Sequence, residues 1–152
     1  MPDSGSEFRR TELIDQMRYL IDEISALRQV ISRMHEAQIT NTDRGLSVKQ
    51  YYGSIIMRDK NELLPALKKL QGTKKSRKAR NKDWNRIPIS EILTEVEKAR
   101  QRVIQIALKL DLKDWMQEVS DGKNVYDLIL TATHQDADAL REIAQLLYRD
   151  HS

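Results

Sequence analysis

The C-terminal stretch of residues 124–148 constrains the fold most, because its apolar residues return every three or four positions. That spacing is typical of a helix with one buried face. One position on the predicted buried face carries a carboxylate, Asp136. A charged side chain is costly to bury unless it is paired and hydrogen-bonded, so this helix predicts both a core and a polar site within it. The apolar positions of the stripe are Val125, Ile129, Ala132, Ala139, Ile143 and Leu147.

Three further stretches repeat apolar residues at helical spacing, and no strand pattern is evident. The first covers residues 11–37, the second begins at Ser47 with a capping box to Gln50, and the third begins at Ser90. Four helices predict an all-α protein, a four-helix bundle. Shorter links join the first helix to the second and the third to the fourth, whereas residues 72–88 predict a long, mobile crossover. This crossover can span the length of a helix, so the second and third helices can run parallel to each other. The expected order of the four helices is then up-down-down-up.

Length and composition predict one domain outside the membrane. The 152 residues suffice for a single core. We expect residues 1–9 to be a flexible leader or a tag remnant and residues 10–150 to form the domain. The chain has no cysteine, which excludes disulfides, thiolate nucleophiles and cysteine ligands, and no apolar run is long enough to span a membrane. The expected location is cytoplasmic.

Two segments resemble the DinB-like, or YfiT-like, superfamily of four-helix metalloenzymes. Residues 45–50 (GLSVKQ) are similar to the start of that family's second helix, and residues 135–143 (QDADALREI) are similar to part of its fourth. The turn at Gly122 also fits the entry to the fourth helix, and the resemblance covers about residues 45–148. It implies the same bundle, a homodimer formed through helix faces, and a metal site built from three histidines. Metal-binding relatives include thiol-dependent transferases and isomerases.

The histidine positions implied by the resemblance hold other residues in this chain. They correspond to Ser54 on the second helix and to Gln135 and Ala139 on the fourth. None of these is a strong metal ligand, so we expect no bound metal and no cofactor. A shift of one residue would instead place His134 and Asp138 four residues apart. That shift rotates the pair by about 100° away from the buried face, and it remains an open alternative.

Charged residues interrupt the apolar stripes of three helices, at Asp59, Arg100 and Asp136. One hypothesis is a polar groove where relatives bind metal, which recognises a small polar ligand or acts as acid and base. The other, which is favoured, is a structural Asp–Arg pair or charged side chains that reach solvent at an end of the bundle. The candidate groove residues are Tyr52, Ser54, Asp59, Arg100, Gln135, Asp136 and Ala139.

Residues 68–82 contain eight basic side chains and no acid, although the whole chain carries a net charge of only +3. Such a run can contact phosphates. Only one aromatic residue, Trp84, lies nearby, and no nucleic-acid-binding motif is evident, so a solvated loop is favoured and nucleic acid is the less favoured partner. The basic loop residues considered for this role are Lys74, Lys75, Arg77, Lys78, Arg80 and Lys82.

The sequence therefore predicts a non-metal ligand-binding or interaction protein of the DinB-like type. One alternative is a thiol-dependent transferase or hydrolase with a rearranged metal site. A second is binding of nucleic acid or an acidic partner through residues 68–82. The residues leave open whether any catalysis remains.

Overall fold

The computed structural model describes residues 4–31, 33–72 and 78–148, and this part of the chain is mostly helical. A π-helical segment, Asp59–Leu63, joins α3 to α4, and a 3-10 turn, Trp84–Arg86, precedes α5. Within these ranges the only sheet is a small antiparallel hairpin of β1 (Glu118–Ser120) and β2 (Lys123–Asn124). None of the helices in them has the length and apolar composition needed to cross a membrane. The helices are α1 Ser4–Ile31, α2 Glu36–Thr40, α3 Val48–Arg58, α4 Leu64–Gln71, α5 Ile89–Lys109, α6 Leu112–Met116 and α7 Val125–Tyr148.

The start of α3 has the predicted capping box. The Ser47 hydroxyl accepts a hydrogen bond from the Gln50 amide at 3.1 Å, and the Gln50 side chain accepts one from the Ser47 amide at 3.0 Å. The short helix α6 begins with a second capping box, between Asp111 and Asp114. Both boxes satisfy backbone N–H groups that a helix start leaves without partners.

Three local expectations differ from the structure. α5 begins at Ile89 with Pro88 in the N-cap position, so Ser90 lies inside the helix and does not cap it. Residues 4–9, expected in a flexible leader, form the first turns of α1. The hairpin at residues 118–124 has no counterpart in the sequence pattern, because strands this short give too little alternation to detect.

Pro65, which would interrupt the bonding of a regular α-helix, follows a change of helix type. The helix widens into the π-helical segment Asp59–Leu63 immediately before it, and the Leu64 amide bonds to the Asp59 carbonyl five residues back. The chain then continues as α4, with Pro65 in its first turn, where a missing N–H costs least.

The crossover expected to be mobile is packed on α3 where the structure describes it, over residues 78–88. Trp84 is buried against Gly53, where an added Cβ would collide with the indole ring. The Asn61 side chain binds the Ala79 backbone twice, donating to its carbonyl at 3.0 Å and accepting from its amide at 2.7 Å. Glycine leaves room for the indole and asparagine supplies a backbone-like partner, so this part of the crossover contacts the helices. Its mobility stays a prediction.

Two apolar clusters form the core. The first core cluster joins the first halves of α1 and α7 to α4 and the second half of α5, and it includes Trp115. The second core cluster joins the remaining half of α1 and the end of α7 to α3 and the first half of α5. Side-chain hydrogen bonds pair the same halves of α1 and α5. Arg10, in the first half of α1, donates to the Leu108 carbonyl, and Arg28, in the second half, donates to Glu97, both at 2.9 Å.

Candidate functional site

Arg100 is fully buried, and its guanidinium binds two carboxylates from other elements. Nε and Nη2 donate to the two oxygens of Asp59 at 2.9 and 3.1 Å, which is a bidentate pair. Nη1 and Nη2 donate to Asp136 at 2.7 and 3.3 Å, and Nη1 also donates to the Met17 carbonyl at 3.3 Å. An arginine has five N–H donors, and all five have an acceptor here. The three charged residues that interrupt the apolar stripes therefore meet at one point.

The charge state of Arg100 is set by its neighbours. Burial alone would lower its pKa, but the charges of Asp59 and Asp136, and the hydrogen bonds to them, outweigh burial and raise the pKa above its usual value. These carboxylates therefore favour the cationic form of Arg100 in the interior. Both carboxylates accept hydrogen bonds from it, so each buried negative charge has a partner.

Arg58 extends this cluster to the protein surface. Its Nη2 donates to Asp136, and its Nη1 donates to the Gln135 side chain at 3.0 Å. Its Nε is buried without a hydrogen-bond partner in the described structure, and Asp59 Oδ1 lies 3.9 Å away. We call Asp59, Arg100, Asp136 and Arg58 the ionic cluster. Two cations and two carboxylates make it neutral, and Arg58 is the member with an unused donor.

An open groove of about 390 Å³ lies between α3 and α7, beside Arg58. Ser54, Gln135 and Ala139, which occupy the positions implied for the histidines, all line this α3–α7 groove. The Ser54 hydroxyl donates to the Tyr51 carbonyl at 2.8 Å, so the serine is held by its own helix. The remaining lining residues are Leu46, Tyr51, Ile55, Arg58, Glu62, Asp138 and Glu142.

Tyr52 does not line the groove, and its prediction as a groove residue is wrong. It lies in the second core cluster with 1% of its surface exposed. Burial, followed by the charge of Glu23 and the proximity of Tyr148, raises the pKa of its hydroxyl. The reason is helical geometry, since Tyr52 stands about 200° around the helix axis from Ser54 and so faces the interior when Ser54 faces the groove.

The described residues contain no group of three or more His, Cys, Asp or Glu side chains that could hold a metal ion. In the shifted register, His134 and Asp138 are both exposed, and Asp138 lies 3.8 Å from Arg141. Asp59 and Asp136 are already bound to Arg100. The residues present do not fit a three-ligand transition-metal site. The absence of bound metal in the protein itself stays a prediction.

The basic loop falls partly outside the described residues, which exclude Lys74, Lys75 and Arg77. Lys82 is exposed, lies 3.7 Å from Glu95 and stands 5.7 Å above the Trp84 ring. The Glu95 carboxylate also accepts a bond from Lys60 at 2.6 Å. One cation of the basic loop is therefore within ion-pair distance of a carboxylate on α5. The other described basic residues of the loop, Lys78 and Arg80, are exposed.

Lys49 is a buried cation that the sequence did not identify. Only 1% of its surface is exposed, and its ammonium donates to Glu36 and lies 3.4 Å from the Asn85 carbonyl. The adjacent Ser47 hydroxyl donates to the Asn85 side chain at 2.5 Å. These contacts, which we call the Lys49 cluster, hold α2 and the 3-10 turn on the start of α3. No apolar stripe is interrupted at Lys49, so periodicity gave no signal.

Comparisons with protein-family models, with curated proteins and with solved structures found no match. The resemblance to DinB-like proteins therefore stands as a proposal, and the function is argued from the geometry of the described residues.

Proposed function

We propose that the chain is a DinB-like four-helix bundle that binds a small polar ligand in the α3–α7 groove without a metal. The long helices would run up-down-down-up, with α3–α4 and α5 parallel. Two observations support this order. Arg10 near the start of α1 bonds to Leu108 near the end of α5, while Arg28 near the end of α1 bonds to Glu97. In addition, α3 packs in the second core cluster with the first half of α5, and α4 packs in the first core cluster with its second half, as parallel helices would.

The observation that carries the proposal is the complete hydrogen bonding of Arg100 within the ionic cluster. Every donor of Arg100 has an acceptor, so the interior of the site has no unpaired acid or base for catalysis. Of the ionic cluster only Arg58 lines the groove, together with its hydrogen-bond partner Gln135. A rigid, neutral interior that supports a polar edge suits recognition of a ligand, since binding groups work best when their supports are fixed.

The lining of the groove favours a ligand with positive charge. Three acids line it, Glu62, Asp138 and Glu142, against the single base Arg58, which is bound to Gln135 and Asp136. Burial, followed by the negative charge of Glu142, raises the pKa of Tyr51 at the same wall. Apolar contact is available from Leu46, Ile55 and Ala139. A volume of about 390 Å³ is within the range of small-molecule sites, so the proposed ligand is a small organic cation.

Agmatine is a suitable probe, with succinate as the probe of opposite charge. A ligand that binds only the folded state raises the melting temperature, so agmatine should do so with a saturable concentration dependence and succinate should not. Ala139→Trp fills the groove and should abolish the response. Ala137→Trp is the matched control, because Ala137 is exposed on the same helix and does not line the groove.

Equal loss of the agmatine response in both tryptophan variants would contradict the proposal, because the effect would then lie outside the groove. The proposal would also be wrong if neither agmatine nor spermidine produced a saturable shift. Homodimer formation stays a prediction, and sedimentation of the purified chain at several concentrations measures it.

A further inference from the structure

A larger cavity, of about 840 Å³, lies on the other side of Glu62 from the α3–α7 groove. Lysines from three separate parts of the chain line it: Lys68 and Lys69 on α4, Lys78 in the crossover, and Lys123 on β2. We call this cavity the lysine pocket. It shares only Glu62 with the α3–α7 groove. An inference about it is therefore independent of the proposed function.

Positive charge in the lysine pocket is only partly compensated. Among the described lining residues, the acids Glu62 and Asp121 stand against Lys69, Lys78 and Lys123, with Lys68 not counted. Within the described ranges, the side chains of Lys69, Lys78 and Lys123 make no ion pair. Burial and the nearby charge of Arg102 lower the pKa of Lys68, so the surroundings of that ammonium favour its neutral form. An anion bound among these lysines would relieve this repulsion.

The other walls supply apolar contact. Pro65, Ala66, Val119 and Leu128 line the pocket, so it can also hold an uncharged organic body. Among the described lining residues the cations are all lysines, which lack the planar fork that binds carboxylates in a bidentate way. Lysine ammonium groups act as point charges and are common ligands of phosphate.

We infer that the lysine pocket binds a small organic phosphate, with the phosphate among Lys69, Lys78 and Lys123 and the organic body against Pro65 and Leu128. The ligand belongs to a different chemical class from the cation proposed for the α3–α7 groove. Acids line the groove and lysines line the pocket, so the two sites attract ligands of opposite charge.

Calorimetric titration at low ionic strength, with adenosine monophosphate and inorganic phosphate as probes, tests this inference. Adenosine monophosphate should bind at one site per chain and more tightly than inorganic phosphate, because only the former has a body for the apolar wall. The double variant Lys78→Gln/Lys123→Gln should weaken binding by about tenfold or more, as expected when two close opposite charges are lost. Both lysines are exposed, so the variant should fold.

The matched control is Lys98→Gln/Lys113→Gln, which removes the same net charge from exposed lysines that do not line the pocket. It should change affinity by no more than about twofold, since exposed charges at a distance are largely screened. Equal weakening in both double variants would overturn the inference, because the binding would then reflect net charge alone. Absence of saturable adenosine monophosphate binding would also overturn it. So would binding of single-stranded RNA alone, with a steep salt dependence.

Discussion

Arg100 and Lys49 are both buried cations, with 0% and 1% of their surface exposed, yet their partners lie in very different surroundings. The carboxylates bound to Arg100, Asp59 and Asp136, have side chains 0% and 7% exposed. The carboxylate bound to Lys49, Glu36, is 66% exposed. Water can therefore solvate the partner of Lys49 if the lysine is lost, whereas the partners of Arg100 would stay in the interior.

This difference shows that burial of a cation does not by itself determine its contribution to stability. Removal of one member of a buried pair is costly because the remaining charge has no compensation. Removal of a member whose partner reaches solvent leaves no such charge. The ionic cluster should therefore hold three helices together as a unit, and the Lys49 cluster should act as a local attachment for α2 and the 3-10 turn.

The largest effect is expected from Arg100→Met. The substitution keeps an apolar stem of similar length but leaves Asp59 and Asp136 facing each other in the interior, with only Arg58 near them. We expect a loss of about 3–5 kcal/mol in the free energy of unfolding, measured by urea denaturation. Arg102→Met, at an exposed position on the same helix, is the control and should change it by less than about 0.5 kcal/mol. A loss below about 1 kcal/mol for Arg100→Met would show that the ionic cluster is not a unit.

Gly53→Ala tests the attachment of the 3-10 turn to α3. The added Cβ collides with the Trp84 ring, so the indole and the neighbouring Asn85 carbonyl must move away from α3. We expect a loss of about 1–3 kcal/mol, as in other overpacked cores, together with a change in tryptophan fluorescence. Ser54→Ala at the next, exposed position should leave both quantities nearly unchanged. A neutral Gly53→Ala would mean that Trp84 is not fixed on α3.

Lys49→Met makes the same kind of substitution as Arg100→Met, in the other region. Because Glu36 is exposed and can be hydrated, the expected loss is below about 1 kcal/mol. Urea denaturation measured side by side with Arg100→Met gives the comparison directly. Equal losses for the two variants would mean that depth of the cation, and not exposure of its partner, governs the cost.

No effect is expected from metal chelation. Asp59 and Asp136 are held by Arg100, and Ser54, Gln135 and Ala139 are weak ligands or none. A chelator should therefore leave the melting temperature unchanged, and mass spectrometry should find no stoichiometric transition metal. One metal per chain that disappears in His134→Ala would instead establish the shifted register. His134 is exposed, so this variant should fold.

The sequence offered a cluster of Asp59, Arg100 and Asp136 as one hypothesis, because each charge falls in phase with an apolar stripe of its helix. It did not predict Arg58, which stands next to Asp59 but about 100° around the axis, outside the stripe. Lys49 was missed for a related reason, since its partner groups come from a short helix and a turn that periodicity does not detect. Helical phase identifies residues that face the core, whereas contacts made by connecting segments depend on the path of the chain.

The same limit applies to the candidate groove. Ser54, Gln135 and Ala139 line one groove as their positions on two helices suggest, while Tyr52 on the same helix faces the core. The packing of residues 78–88 could not be read from composition, because a polar, basic segment looks the same whether it is solvated or attached through one tryptophan and one asparagine.

The π-helical segment Asp59–Leu63 corrects a mismatch between the chain and the α-helical repeat. The buried positions Ile55, Asp59, Leu63 and Leu67 are spaced by four residues each time, while an α-helix turns once in 3.6 residues. Repeated steps of four would rotate successive side chains out of the interior by about 40° each. The wider π turn takes up part of this excess, so Asp59 and Leu67 face the same interior. The orientation of the Asp59 carboxylate toward Arg100 thus depends on the number of residues in this segment as well as on its side chains. Deletion of one residue between Asp59 and Leu67 would turn the carboxylate away from Arg100 although Asp59 itself is unchanged.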